Sequence, residues 1–152
     1  MITRPRRFGK TLTMSMVEQF FSIDYAGRSD LFEHLAIWKE EKYRELQGTY
    51  PVISLSFARI KERDYEKTKQ KMCEVLRNIY IKFCYIKDSE KLTDADRAYY
   101  ERMLEENIKE TDATSSLYQL SDFLYRYYGK KVIILLDEYD TPMQEAFVDG
   151  YW

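Results

Sequence analysis

The sequence has little of the chemistry on which many enzymes depend. Its 152 residues include one histidine, His34, and two cysteines, Cys73 and Cys84. A single imidazole argues against His-based catalysis and excludes a cluster of histidines around a metal. The two thiols fall in one predicted helix, where their separation corresponds to about 16 Å, too far for a disulfide. We therefore expect two reduced thiols, as is typical of a cytoplasmic protein.

Long apolar runs and a strong charge of one sign are also missing. No stretch approaches the ~20 apolar residues of a membrane-spanning helix, and the chain does not open with a secretory signal pattern. These absences argue against a membrane partner. The formal net charge of −2 does not suggest a dedicated nucleic-acid binder. With 45% hydrophobic and 33% charged residues, the chain is long enough for one domain with a sizeable core.

The first notable feature is a basic stretch that contains a glycine, at the start of the chain. Residues 3–11 read T-R-P-R-R-F-G-K-T. Gly9-Lys10-Thr11 has the form of the ending of a phosphate-binding loop, in which backbone N–H groups cradle phosphates, the lysine reaches the β- and γ-phosphates and the hydroxyl binds Mg²⁺. Arg4 stands where the full pattern has its first glycine, and Pro5 removes one N–H donor.

A helix is predicted directly after this stretch, over about residues 12–21, because no proline or glycine interrupts its apolar spacing. The loop would then lie at a helix N-terminus, where backbone N–H groups and the helix dipole favour an anion. Arg6 and Arg7 are candidates for additional phosphate contacts. The alternative is a solvated basic turn that leads into a helix without binding anything.

A second candidate stretch lies near the end of the chain. Residues 132–136 read V-I-I-L-L, which predicts a strand buried on both faces of a parallel sheet. The strand is followed by Asp137 and Glu138. An aspartate at the carboxyl end of such a strand can bind Mg²⁺, and the next glutamate can polarise the attacking water. The alternative is that these residues and Asp140 only end a strand in a polar turn. The two stretches together favour a site for a nucleoside triphosphate.

The middle of the chain predicts a further strand and several helices. Residues 50–57 alternate between apolar residues and serine, which predicts a strand with one apolar face. Thr93 and Asp96 are candidate capping residues of one helix, and Gly129 is placed to end another. The helix after Thr93 has sparse apolar positions, so we expect it to be peripheral and mostly exposed.

The fourteen tyrosines could either stack on single-stranded nucleic acid or pack inside the protein, and their spacing on helices favours packing. Helices are expected over about residues 61–86, 93–109 and 117–128.

Four motifs together resemble one family. They are R-P-R-R-F-G-K-T-L at residues 4–12, L-F-E-H-L-A-I at 31–37, Y-P-V-I-S-L-S-F at 50–57 and L-D-E-Y-D-T-P at 136–142. They resemble the AAA-ATPase-like family of bacterial proteins, in which arginine at the position of Arg4 is usual. Full-length members of that family carry a nuclease domain similar to restriction endonucleases, and nothing in this sequence matches that domain.

The resemblance implies an α/β fold of the P-loop NTPase type, with a parallel sheet flanked by helices and truncated at both ends. Residues 1–152 would form one partial domain that lacks most of the first strand, the sensor strand and the lid. Lys10 and Glu138 are the implied catalytic residues, and Thr11 and Asp137 are the implied Mg²⁺ ligands. The implied nucleotide-binding loop comprises Arg6, Arg7, Phe8, Gly9, Lys10, Thr11 and Leu12.

The expected function is ATP binding, with Mg²⁺-dependent hydrolysis expected of the parent protein. The rival is a non-catalytic interaction module whose basic N-terminal loop binds nucleic acid or a partner subunit. A homo-oligomer and, through the parent protein, nucleic acid are further candidate partners beside the nucleotide.

Overall fold

The computed structural model describes residues 9–151. These residues form two compact units, and each is described by itself. The first unit contains residues 9–54 and Lys131–Leu135, and the second contains Leu55–Lys130 and residues 136–151. No helix within the described range is long and apolar enough to cross a membrane.

Six α-helices and two short strands make up the described chain, joined by turns of 3₁₀ helix. In chain order they are α1 (Lys10–Phe21), α2 (Glu41–Arg44), β1 (Val52–Ser56), α3 (Tyr65–Lys82), α4 (Asp94–Leu104), α5 (Glu110–Tyr128), β2 (Ile133–Asp137) and α6 (Thr141–Asp149). The fold is therefore mixed, and helices stand before and after each strand along the chain.

The two strands form a parallel sheet, as the sequence predicts. At one end of the pair the N–H of Ile133 donates to the carbonyl oxygen of Pro51 at 3.0 Å. At the other end the N–H of Phe57 donates to the carbonyl oxygen of Asp137, also at 3.0 Å. In β1 the predicted alternation is confirmed, since Ile53 and Leu55 are buried while the serines between and after them are exposed.

The prediction that β2 is buried on both faces is wrong. Ile134 and Leu136 are 41% and 42% exposed, whereas Ile133 and Leu135 are half-buried. Side chains two positions apart on a strand point to the same face. One face of β2 is therefore open to solvent in the part of the chain that the structure describes. A run of apolar residues is compatible with a strand that is buried on both faces, but it does not specify which elements pack against those faces.

In the first unit, aromatic packing fixes the end of α1. Phe20 and Phe32 are buried and meet edge to face, with ring centroids 5.1 Å apart. The carbonyl oxygen of Phe20 accepts the N–H of Gly48 at 2.8 Å, and Ser22 forms a parallel bridge with Tyr50. The chain after α1 is thus tied by backbone hydrogen bonds to the segment that leads into β1.

In the second unit, α3, α4 and α5 pack together around buried tyrosines. The hydroxyl of Tyr80 donates to the carbonyl oxygen of Ser116 at 2.8 Å, and that of Tyr100 donates to the carbonyl oxygen of Tyr80 at 2.7 Å. Burial raises the pKa of both phenols. Both tyrosines therefore serve packing, as their spacing predicts, because each buries a ring and satisfies its hydroxyl.

The expectation that α4 is mostly exposed is wrong for its inner face. Tyr100 and Met103 of this helix are completely buried. Few apolar positions are needed here because a tyrosine ring and a thioether cover a large area each. By contrast, Tyr125 and Tyr127 of α5 are 52% and 39% exposed, so helical spacing does not bury every tyrosine of this chain.

An ion pair joins the start of α4 to α5. The predicted caps are confirmed, since Thr93 and Asp96 form a reciprocal capping box. The Asp96 carboxylate also accepts from the guanidinium of Arg126 at 2.9 Å, and the two side chains are 20% and 30% exposed. The hydrogen bond from Arg126, followed by those from Thr93, lowers the pKa of Asp96 from 3.8 to about 2.

This lowered pKa predicts a loss of stability in acid. Because the folded state binds the Asp96 proton more weakly than the unfolded state, the stabilisation is present above pH 4 and disappears as the pH falls through 2. We expect Asp96→Asn to lower the free energy of unfolding by about 2 kcal/mol at pH 7 and to lose its difference from wild type near pH 2. Urea titrations across that range measure both quantities.

Asp94→Asn is the matched control, because the Asp94 side chain lies in the same helical turn and is fully exposed. It should change the free energy of unfolding by less than about 0.5 kcal/mol. An Asp96→Asn protein as stable as wild type at pH 7 would contradict the assignment of this ion pair.

Candidate functional site

The described part of the predicted phosphate loop begins with a glycine in a left-handed conformation. Gly9 has φ +73° and stands immediately before the first residue of α1. This backbone conformation suits glycine, because it brings the Cβ of other residues too close to the backbone. The carbonyl oxygen of Gly9 accepts both the N–H and the hydroxyl of Thr13, at 2.9 and 3.0 Å. Gly9 therefore turns the chain directly into α1, and its carbonyl oxygen accepts the first backbone hydrogen bond of the helix.

The N-terminus of α1 is suited to an anion. Within residues 9–151 no side chain caps it, and its first turn contains no acidic residue. Lys10 is half-buried, and Thr11 and Leu12 are exposed. Helix N-termini present N–H groups without intrahelical partners and the positive end of the helix dipole. A phosphate group would be stabilised here by both, with Lys10 and the Thr11 hydroxyl on the same turn.

Three residues of the predicted loop, Arg6, Arg7 and Phe8, lie outside the described residues. Residues 1–3, which would be the last residues of a strand that leads into the loop, also lie outside them. Their assignment to the nucleotide-binding loop stays a prediction.

The second predicted stretch lies at the carboxyl end of β2, as expected. Asp137 is the last residue of the strand and is half-buried, and Glu138 is exposed. Glu138 has φ +52°, which makes it the one residue other than glycine with a positive φ between residues 9 and 151. Such a conformation costs of order 1 kcal/mol for a side chain of this kind. The backbone is thus strained at the glutamate to which the sequence assigns catalysis.

Glu138 is tied to the start of α6. The N–H of Thr141 donates to the carbonyl oxygen of Glu138 at 3.1 Å, and the Thr141 hydroxyl lies 3.4 Å from its Oε2. Asp140 occupies the capping position of this helix, Thr141 is its first residue and Pro142 its second. The contact between Thr141 and Glu138 is a feature that sequence reasoning missed, because it depends on the tight turn between β2 and α6.

The oxygen donors at these two places suit magnesium. Mg²⁺ prefers oxygen ligands and often takes only one or two from protein, the others being waters and substrate phosphates. The Thr11 hydroxyl and the Asp137 carboxylate are donors of this kind. Between residues 9 and 151 no three histidine, cysteine, aspartate or glutamate side chains cluster closely enough to hold a metal ion by themselves. His34 is exposed, and both cysteines are free.

The candidate residues are divided between the two units. Gly9, Lys10, Thr11 and Leu12 belong to the first unit, and Asp137 and Glu138 belong to the second. Each group has a defined local geometry: a left-handed glycine at a helix start in the first unit and a strained strand-to-helix turn in the second.

The strain at Glu138 predicts an unusual order of stabilities. Glu138→Gly should unfold with a free energy about 1 kcal/mol higher than Glu138→Ala, because glycine adopts φ +52° without a Cβ clash. Glu145, inside α6, provides the control pair, in which glycine should be less stable than alanine by about 1 kcal/mol. Urea unfolding of the four variants tests this reversal, and the same order at both positions would contradict the strain.

The chain was compared with models of known protein families. Over residues 1–151 the chain matches the model of the AAA-ATPase-like family, whose description is "Predicted AAA-ATPase". No curated protein and no solved structure matches the chain. Because the family model covers almost all of its length, the chain belongs to the AAA-ATPase-like family.

Proposed function

We propose that this chain binds ATP with Mg²⁺ and supplies the hydrolytic site of an AAA-type ATPase. The observation that carries the proposal is the start of α1, where a left-handed glycine leads directly into a helix that begins with lysine and threonine and has no acidic residue in its first turn. Membership in the AAA-ATPase-like family supports nucleotide use in general. Asp137, the last residue of β2, would bind the metal ion, and Glu138, which follows it, would orient the attacking water.

Each residue has a role that follows from its chemistry. The Lys10 ammonium would neutralise charge on the β- and γ-phosphates, and the N–H groups of the loop would cradle them. The Thr11 hydroxyl and the Asp137 carboxylate would hold Mg²⁺, which neutralises charge on the phosphate oxygens when bound. The loop as a whole would comprise Arg6, Arg7, Phe8, Gly9, Lys10, Thr11 and Leu12.

Glu138 is the proposed base that orients water for in-line attack on the γ-phosphoryl group. Its carboxylate is exposed and lies beside the hydroxyl of Thr141. A hydrogen bond to a neighbouring hydroxyl can hold a carboxylate in one orientation, which a water-positioning residue requires. The positive φ of Glu138 supports this role, because backbone strain concentrates at functional sites.

A P-loop NTPase fold in a single partial domain is part of the same proposal. The parallel pairing of β1 and β2 supports it, as does the position of Asp137 at the carboxyl end of its strand. In open α/β sheets, ligands bind outside the carboxyl ends of the strands.

Titration of a fluorescent ATP analogue, with and without Mg²⁺, tests the proposal. We expect binding to wild type that Mg²⁺ strengthens, and at least about tenfold weaker binding to Lys10→Ala, since a charge-assisted contact contributes roughly 1.5–3 kcal/mol. Lys39→Ala is the matched control, because Lys39 is an exposed lysine of the same unit. It should bind like wild type.

Two outcomes would contradict the nucleotide site: no binding by folded wild type, or equal loss in both lysine variants. Binding of single-stranded DNA that weakens steeply with salt and ignores Mg²⁺ would instead support the interaction module, because contacts to a nucleic-acid backbone release counterions.

A further inference from the structure

The second unit contains a cavity that the proposed nucleotide chemistry does not use. It encloses about 350 Å³, a volume within the range of small-molecule sites. Helices α3 and α6 contribute most of its wall. Aromatic rings and thioethers predominate among its lining groups, which include Phe57, Tyr65, Met72, Tyr139, Met143 and Tyr151.

Large apolar side chains of this cavity remain uncovered. Tyr65 and Tyr139 are each 54% exposed, and Met72 and Met143 are 40% and 51% exposed. The cavity therefore opens to solvent through a mouth of aromatic and thioether groups. Both groups pack favourably against aromatic rings, and the flexible thioethers adapt to the shape of a ligand.

One buried polar group of the wall has unused hydrogen-bonding capacity. Thr68 is 8% exposed, and its hydroxyl lies 2.9 Å from the hydroxyl of Tyr151. The single proton of Tyr151 goes to the carbonyl oxygen of Glu62, at 2.8 Å. Thr68 must therefore be the donor to Tyr151, which leaves the lone pairs of its own oxygen as acceptors.

No donor to the Thr68 oxygen exists among the described residues. A buried acceptor without a donor favours a ligand that supplies one. Among the residues that the structure describes, the other lining groups are apolar atoms and phenol rings, and no charged side chain lines the cavity. These features favour a neutral, mostly apolar ligand with one N–H or O–H group. They disfavour a nucleobase, whose several polar edge atoms would lose water without gaining partners.

We propose that this cavity binds a small neutral aromatic molecule that carries one hydrogen-bond donor, of the indole or phenol class. The ring would pack among the tyrosine and methionine side chains, and its N–H or O–H would donate to the oxygen of Thr68. None of the residues that line this cavity is assigned to the proposed ATP site, and we expect its occupancy not to depend on Lys10 or Mg²⁺. Tyr139 follows Glu138 directly, so the cavity wall continues the turn that carries that glutamate.

Indole and benzofuran form a matched pair of probes, because benzofuran has the same shape and lacks the N–H. Titrations of the full chain, followed by NMR of ¹³C-labelled methionine methyl groups, should give saturable shifts at Met72 and Met143. Met103, which is completely buried in α4, should not shift. Indole should bind about fivefold more tightly than benzofuran, as expected for one net hydrogen bond of about 1 kcal/mol.

Thr68→Val should abolish this preference: indole should bind about fivefold more weakly than to wild type, and benzofuran should bind unchanged. Thr68→Ser retains the hydroxyl and should retain the preference. Phe147→Ala is the control on α6, since Phe147 is 78% exposed and does not line the cavity. It should leave both affinities unchanged.

Three results would overturn the proposal: no saturable shift at Met72 and Met143 in folded wild type, equal affinity of wild type for the two probes, or equal weakening of both by Thr68→Val. If Thr68→Val does not fold, the comparison of the two probes on wild type and Thr68→Ser decides the question.

Discussion

Parallel pairing of β1 and β2 is the constraint on which the rest of the structure depends. Parallel strands cannot be joined by a tight turn, so the chain must cross back between them. Here α3, α4 and α5 occupy that crossover and pack around Tyr80 and Tyr100. The hydrogen bond from the N–H of Phe57 to the carbonyl oxygen of Asp137 fixes the backbone of the aspartate proposed to bind Mg²⁺. The same pairing thus determines the topology and holds one candidate ligand.

Each of the two candidate stretches contains a residue with a positive φ. Gly9 has a positive φ before α1, and Glu138 has one after β2. Glycine adopts this conformation at no steric cost, whereas glutamate does not. Strain at a residue persists when the surrounding structure imposes it, and it concentrates at functional sites. Glu138 carries such strain in the turn between β2 and α6.

Features set by local sequence could be predicted, and features set by tertiary contacts could not. The caps Thr93, Asp96 and Gly129 follow from side chains and backbone within a few residues, and the structure confirms all three. The burial of Tyr100 and the exposure of Ile134 depend on which elements pack against them, which periodicity does not specify. In the candidate site, the sequence predicts a helix after Gly9 and a strand that delivers Asp137, and the structure has both, with the helix beginning at Lys10 instead of near Leu12. The strained φ of Glu138 and its contact with Thr141 could not be predicted, because both arise from the geometry of one turn.

Hydrogen exchange of the full chain, followed by mass spectrometry with and without ATP and Mg²⁺, tests the central claim most directly. If backbone N–H groups at the start of α1 cradle the phosphates, peptides that contain residues 9–13 should exchange more slowly with ATP and Mg²⁺. AMP at the same concentration should have little effect, because it lacks the β- and γ-phosphates. Equal protection by AMP and ATP, or slowing elsewhere with none at residues 9–13, would contradict the proposed phosphate loop.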